Sequence, residues 1–300
     1  MICIVGPTAS GKTQLAAALA LELNGEIISC DSRQIYRGMD IGTGKDLADY
    51  ICNGVHIPYH LIDILDAGQK YSVFEYQKDF WECYTDILAR GKTPILCGGT
   101  GLYTEAVTKG YSMPQVPINE ELRKILSSLS LAELSERLSR YRSLHNTTDI
   151  DSCKRAIRAL EIEEYRQHHK LECKSYPAIA SCYIAVNYER EERRKRITQR
   201  LHERLQQGMI KEVETLLSSG VTAEDLIFYG LEYKYITLFV TQKITYDRMV
   251  AELNTAIHQF AKRQMTWYRS IERKGTPIHW IDGNLPISEK IYSAKSLYQK

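Results

Sequence analysis

The apolar run Ile2-Cys3-Ile4-Val5 leads directly into Gly6-Pro7-Thr8-Ala9-Ser10-Gly11-Lys12-Thr13, and a helix-forming stretch from Gln14 to Leu23 follows. A G-x-x-x-x-G-K-[ST] loop between a short buried strand and a helix admits few folds. Its glycines turn the backbone tightly and aim N–H groups inward. The helix N-terminus adds partial positive charge, Lys12 adds a full one, and the Thr13 hydroxyl suits a magnesium ion. The loop holds a polyphosphate. It does not say which one.

The first hundred residues continue in the same manner. Strand-like runs at 2–5, 26–30 and 94–97 alternate with helical runs at 13–23 and 73–90, which implies parallel strands joined by crossover helices. The expected fold is therefore α/β: a P-loop NTPase-like parallel sheet flanked by helices. Binding sites in such sheets lie at the carboxyl ends of strands. Each strand here ends in polar or glycine residues: the phosphate loop, then Asp31-Ser32, then Gly98-Gly99-Thr100-Gly101. From about Met113 the pattern changes. Pro114 and Pro117 open a charged stretch with helical runs at 120–129, 132–141 and 151–168, and no strand is expected within it. We read three segments: 1–112 as the first part of a catalytic core, 113–175 as a helical insertion, and 176–300 as the rest of the core. That last part carries a strand at 180–187, a basic helix at 189–207, further helices to Ile271 and a last strand at 278–281.

Composition bounds the partners. Lys plus Arg (39) nearly balances Asp plus Glu (37), so overall charge announces no nucleic-acid binder and local clustering must carry that argument. Eight cysteines form no C-x-x-C and no zinc-finger spacing, as expected of reduced thiols in a cytoplasmic protein. His168 and His169 near Cys173 suit either a metal or a solvated helix end. The chain runs from Met1 straight into a strand, so no signal peptide is expected. No apolar run reaches the roughly 18 residues of a membrane span, so no membrane partner is expected either. The expected state is a monomer.

Four clusters carry candidate chemistry. Asp31, followed by Ser32, Arg33 and Gln34, reads as a magnesium-organising acid, a general base or a helix cap. The strand at 94–97 ends in glycines where a nucleoside triphosphatase usually has a second acid, which weakens a reading as ATP hydrolysis. Arg155 and Arg158, beside Lys154, sit at i,i+3 and project together as either a binding face or a solvated face. Arg196, Arg200 and Arg204 recur every fourth residue beside the apolar stripe Ile197, Leu201 and Leu205. Such a stripe suits phosphate, and equally a surface helix laced with ion pairs. Residues 259–269 (QFAKRQMTWYR), with Lys262 and Arg263, mix cations and aromatic rings as RNA contacts do, or form a closing core helix with a basic outer face.

Together these segments resemble the tRNA dimethylallyltransferase family, also called tRNA isopentenyltransferases. The resemblance runs nearly end to end and rests on GPTASGKT (6–13), CDSRQIYRGMDIGT (30–43), HLID (60–63), GGTGLY (98–103), KRAIRALEI (154–162), GMIKEV (208–213) and QFAKRQMTWYR (259–269). It implies transfer of a dimethylallyl group from dimethylallyl diphosphate to the exocyclic amine of an adenosine beside the tRNA anticodon. The phosphate loop, residues Gly6 to Thr13, would then hold the prenyl diphosphate. Lys12, Thr13 with Mg2+, and Arg196 would stabilise the departing diphosphate, the largest expected catalytic contribution. Asp31 would accept the amine proton, with Thr100 across the reacting amine. Ser32, Arg33, Gln34, Lys154, Arg155, Arg158, Lys262 and Arg263 would join Asp31 in gripping the anticodon stem-loop. The chain departs from the usual pattern where Gly44-Lys45-Asp46 replaces Ala-Lys-Pro, where Tyr59 precedes His60, where Lys154 replaces Gln, and in the short stretch 140–151. The readings these features keep open are a paralogue acting on free adenine nucleotide, a P-loop kinase, and an RNA-binding protein without catalysis.

Overall fold

The computed structural model describes residues 1–143, 147–169 and 173–299. Residues 1–109 and 178–300 make one compact unit, and residues 110–177 make a second.

The larger unit is built on a six-stranded parallel sheet whose strands, in spatial order, are Ile278–Asp282, Cys182–Asn187, Ile2–Val5, Thr93–Cys97, Gly25–Ser29 and Tyr59–His60. Ile2–Val5 is fully buried, as a strand covered on both faces must be. Its alternation divides the core. Ile2 and Ile4 pack against Leu15 and Leu19 of helix α1 (Lys12–Glu22), whereas Cys3 and Val5 face Tyr76 and Phe80 of α2 (Val73–Ala89). Each such buried side chain is worth about 1.5–3 kcal/mol. Helix α3 (Gly101–Thr108) leaves the end of the strand Thr93–Cys97.

In the second unit, α4 (Glu120–Leu126), α5 (Leu131–Ser139) and α6 (Cys153–His168) close over Leu126, Leu134, Leu138 and Leu160. One feature differs from the sequence reading. Met113–Pro114 pairs antiparallel with Cys173–Lys174, a two-residue ladder between positions too distant for local pattern to reveal.

The chain then adds α7 (Arg190–Gln206), α8 (Met209–Ser218), α9 (Ala223–Tyr229), α10 (Leu231–Val240) and the long α11 (Tyr246–Arg273), which share a core of Ile197, Leu201, Met209, Tyr229, Tyr233 and Leu253. A final helix, α12 (Ile287–Tyr298), was not anticipated. Cys3, Cys30 and Cys97 are buried free thiols, and burial pushes Cys3 and Cys97 up to about 12, so they stay protonated.

Candidate active site

The phosphate loop follows the central strand and takes the backbone shape its glycines allow. Gly6 has φ 138°, and a Cβ there would lie 3.1 Å from the Val186 carbonyl oxygen. Gly11, at φ 77°, caps α1 without any side-chain cap, so the first amides of the helix remain for an anion. Lys12 Nζ donates to the Pro7 carbonyl at 2.8 Å, and burial pushes its pKa down. Thr8, Lys12 and Thr13 line a cavity of about 490 Å³.

The opposite wall comes from the next two strand ends. Asp31 Oδ1 accepts the Arg33 N–H at 2.9 Å. Turns rather than a helix follow Asp31, so the helix-cap reading falls away. Thr100 N–H donates to the Cys30 carbonyl at 3.2 Å, and Thr100 Oγ1 accepts the Ser32 N–H at 3.2 Å. These bonds stitch the Asp31 strand end to the glycine loop. The close approach explains the glycines: a Cβ on Gly98 would lie 2.6 Å from the Cys30 carbonyl carbon. Asp31, Ser32, Arg33, Gln34 and Thr100 all line the same cavity as the phosphate loop.

Helix α11 joins the two loops. Gln264, buried, accepts the Thr8 N–H at 2.9 Å and donates to the Gly99 carbonyl at 3.0 Å. Phe260, Arg263 and Trp267 of the same helix line the cavity.

Helix α7 contributes Arg200 and Arg204 to the cavity wall. Arg200 Nη2 donates to Asp46 Oδ2 at 2.6 Å, and Arg204 Nη2 lies 3.6 Å from that oxygen. The loop carrying Asp46 is fixed by Glu212, whose carboxylate accepts the N–H groups of Asp40 (2.9 Å), Ile41 (2.7 Å) and Gly42 (3.0 Å) and the Tyr233 hydroxyl (2.6 Å). Neither Glu212 nor Gln264 was singled out from sequence, although both stand in motifs noted there. Among the described residues no group of three or more His, Cys, Asp or Glu could hold a metal ion, and no helix is long and apolar enough to cross a membrane.

A family model described as IPP transferase matches residues 34–271, and one described as isopentenyl transferase matches residues 1–55. The first covers well over half of the chain. This chain belongs to the IPP transferase family. A Bacteroides fragilis protein named tRNA dimethylallyltransferase 2 is 60% identical over 98% of this chain and 96% of its own. A Porphyromonas gingivalis protein of the same name is 59% identical over 99% of each. The crystal structure of a tRNA delta(2)-isopentenylpyrophosphate transferase from Staphylococcus epidermidis superposes with a TM-score of 0.70 at 30% identity, covering 99% of this chain and 98% of that one.

Within this IPP transferase fold the expected residues separate into groups. The phosphate loop, Asp31, Thr100 and Arg263 meet in one cavity. Arg196 stands apart from it: its Nε donates to the Ala9 carbonyl at 3.3 Å and its guanidinium lies 4.2 Å over the Tyr188 ring. One and two helical turns on, Arg200 and Arg204 take the cavity side. Lys262 is exposed and does not line the cavity. In the second unit Lys154 and Arg155 are exposed, Arg155 pairing with Asp151. Arg158 is engaged otherwise. It pairs with the buried Glu161 and donates to the Val116 carbonyl at 2.9 Å. Burial acts to raise the Glu161 pKa, but hydrogen bonds from Arg123, the Asn119 N–H and Arg158 hold it below the usual carboxylate range.

Proposed function

We infer that this protein transfers a dimethylallyl group from dimethylallyl diphosphate to the exocyclic amine of an adenosine adjacent to the anticodon in tRNA, releasing diphosphate. One observation carries the reading of the site: a phosphate loop with its lysine shares a single cavity with Asp31, Thr100 and four arginines.

The donor diphosphate lies on the phosphate loop, against Lys12 and the uncapped backbone amides of the first turn of α1. The C1–O bond of the allylic donor breaks and its electron pair leaves with the diphosphate. The new bond forms from the adenosine amine nitrogen to C1. Asp31 takes the amine proton, and Thr100 orients the amine from the glycine loop. The lysine, the helix N-terminus and the guanidinium of Arg200 stabilise charge where it develops, on the leaving oxygen. The general base adds about 10²–10⁴-fold.

Magnesium suits this donor set. A magnesium ion binds through one or two hard protein oxygens together with phosphate oxygens rather than in a full protein cage. Thr13, whose residue lines the cavity beside Lys12, would hold it, and the bound ion supplies further positive charge against the leaving group.

The adenosine must leave its stack to reach Asp31. Trp267 and Phe260, each more than a third exposed at the cavity, offer faces for neighbouring bases, and Arg33, Arg263 and Lys262 offer charge to phosphates. Lys154 and Arg155 supply further exposed cations on the second unit. The protein acts as a monomer. A direct test uses donor labelled in the C5 unit, unmodified tRNA and Mg2+. Label must appear in tRNA adenosine with diphosphate released in equal amount. Label transferred only to free adenine nucleotide, or a γ-phosphoryl group moved from ATP with the donor untouched, refutes the reading.

A further inference from the structure

Arg204 is only 9% exposed, yet it lines the same cavity as Lys12, Thr13 and Arg200. It also lines the small pocket behind Thr8 and Ala9 of the phosphate loop. Among the described residues its Nη2 has no hydrogen-bond partner. The nearest anion is Asp46, and the Asp46 oxygen 3.6 Å away already accepts Arg200 Nη2 at 2.6 Å. Glu232 of α10 lines the same cavity and makes no ion pair with either arginine among the described residues. Burial pushes the Glu232 carboxyl up, towards its neutral form. Burial also pushes the Arg204 pKa down to about 10, with Arg200 adding repulsion.

A buried cation that keeps an unmatched donor is costly in the free protein. The surroundings nevertheless make room for it. Gly44 stands at φ 67°, and a Cβ there would collide with Arg204 and come within 2.9 Å of Arg200 Nη2. Two guanidiniums are thus packed side by side against one shared carboxylate, facing a loop built for phosphate. A departing diphosphate carries more negative charge than Lys12 and Arg200 together neutralise.

We propose that Arg204 is a second guanidinium of the leaving-group site, kept in place by Asp46 and completed by the diphosphate itself. This rests on the reading that the phosphate loop holds a diphosphate. Nη2 is the buried nitrogen on the Asp46 side, and the rest of the Arg204 guanidinium is what the anion meets. Asp46, which does not line the cavity, is a positioning residue: it neutralises the two arginines that do.

The test titrates inorganic diphosphate with Mg2+ into the full chain, calorimetrically, and measures thermal unfolding of each variant without ligand. Arg204→Met should weaken diphosphate binding by about tenfold to a hundredfold, the worth of one charge-assisted hydrogen bond. Its ligand-free melting temperature should hold or rise, because the substitution removes a buried, under-satisfied charge. A purely structural arginine would give the opposite, a lower melting temperature with binding intact. Diphosphate affinity within twofold of wild type overturns the proposal. Should Arg204→Met melt well below wild type, Arg204→Gln, which keeps polarity and loses the charge, decides on the same tenfold criterion. Failure of the wild-type protein to bind diphosphate at all would instead overturn the reading of the phosphate loop, and this proposal with it.

Discussion

Gln264→Leu isolates the link that makes one site of two loops. The substitution keeps the volume and removes both polar atoms. The Thr8 N–H loses its acceptor at 2.9 Å and the Gly99 carbonyl loses its donor at 3.0 Å, at a position only 8% exposed. Two neutral hydrogen bonds contribute about 1 kcal/mol each, and orphaned partners raise the cost towards the full desolvation penalty. The total is about 2–4 kcal/mol. For a chain of this size that lowers the melting temperature by roughly 4–16 °C, taking about 2–4 °C per kcal/mol. The two loops also lose their fixed spacing, so KM for the donor rises together with a fall in kcat. Thermal unfolding followed by circular dichroism, with steady-state kinetics, reads both. Gln264→Glu is the control: it keeps an acceptor for Thr8, loses the donor to Gly99 and adds negative charge beside the phosphate loop. It should cost less stability than leucine yet more donor affinity. A leucine variant that melts within 2 °C of wild type with unchanged KM would refute the bridge.

Two further expectations concern charge. Hydrogen bonding from Arg90, aided by His60 and opposed by burial, holds the Glu26 carboxyl down at about 2 against a usual 4.5. A depressed carboxylate stabilises the fold fully above the unfolded pKa and loses that contribution as pH falls from about 4.5 towards 2, at most about 3 kcal/mol. Glu26→Gln should therefore flatten the decline in melting temperature over that acid window, and an unchanged acid profile would remove the pair from the stability balance. On the RNA side, Lys262→Ala or Arg263→Ala should each lower the slope of log K for tRNA against log salt by about 1 if the residue meets a phosphate. Fluorescence anisotropy across a salt series measures this, and an unaltered slope takes that residue out of the interface.

Much of this was legible in the chain because it is local. The phosphate loop, the strands on either side of it and the basic-aromatic helix are each written within a few dozen residues, where backbone geometry and 3.6-residue periodicity operate. What escaped is what folding brings together from afar. Gln264 meets partners 256 and 165 residues away. Asp46 meets Arg200 across 154 residues, which gives a physical reason for the departure at Gly44-Lys45-Asp46: the glycine leaves room for two guanidiniums and the aspartate neutralises them. The four-residue repeat of Arg196, Arg200 and Arg204 identified the stripe, but only the helix's rotation against the sheet decides that the last two face the cavity. Helix α12 was missed because only Ala294 in it is fully buried, leaving no strong apolar stripe to read.

The proton acceptor tests the account most directly. A single-turnover assay with saturating donor, Mg2+ and tRNA follows prenylated adenosine, with tRNA affinity measured alongside. Asp31→Ala should slow transfer by about 10²–10⁴-fold while tRNA affinity stays within a few-fold. Transfer within tenfold of wild type, or tRNA binding lost in step with transfer, would contradict it.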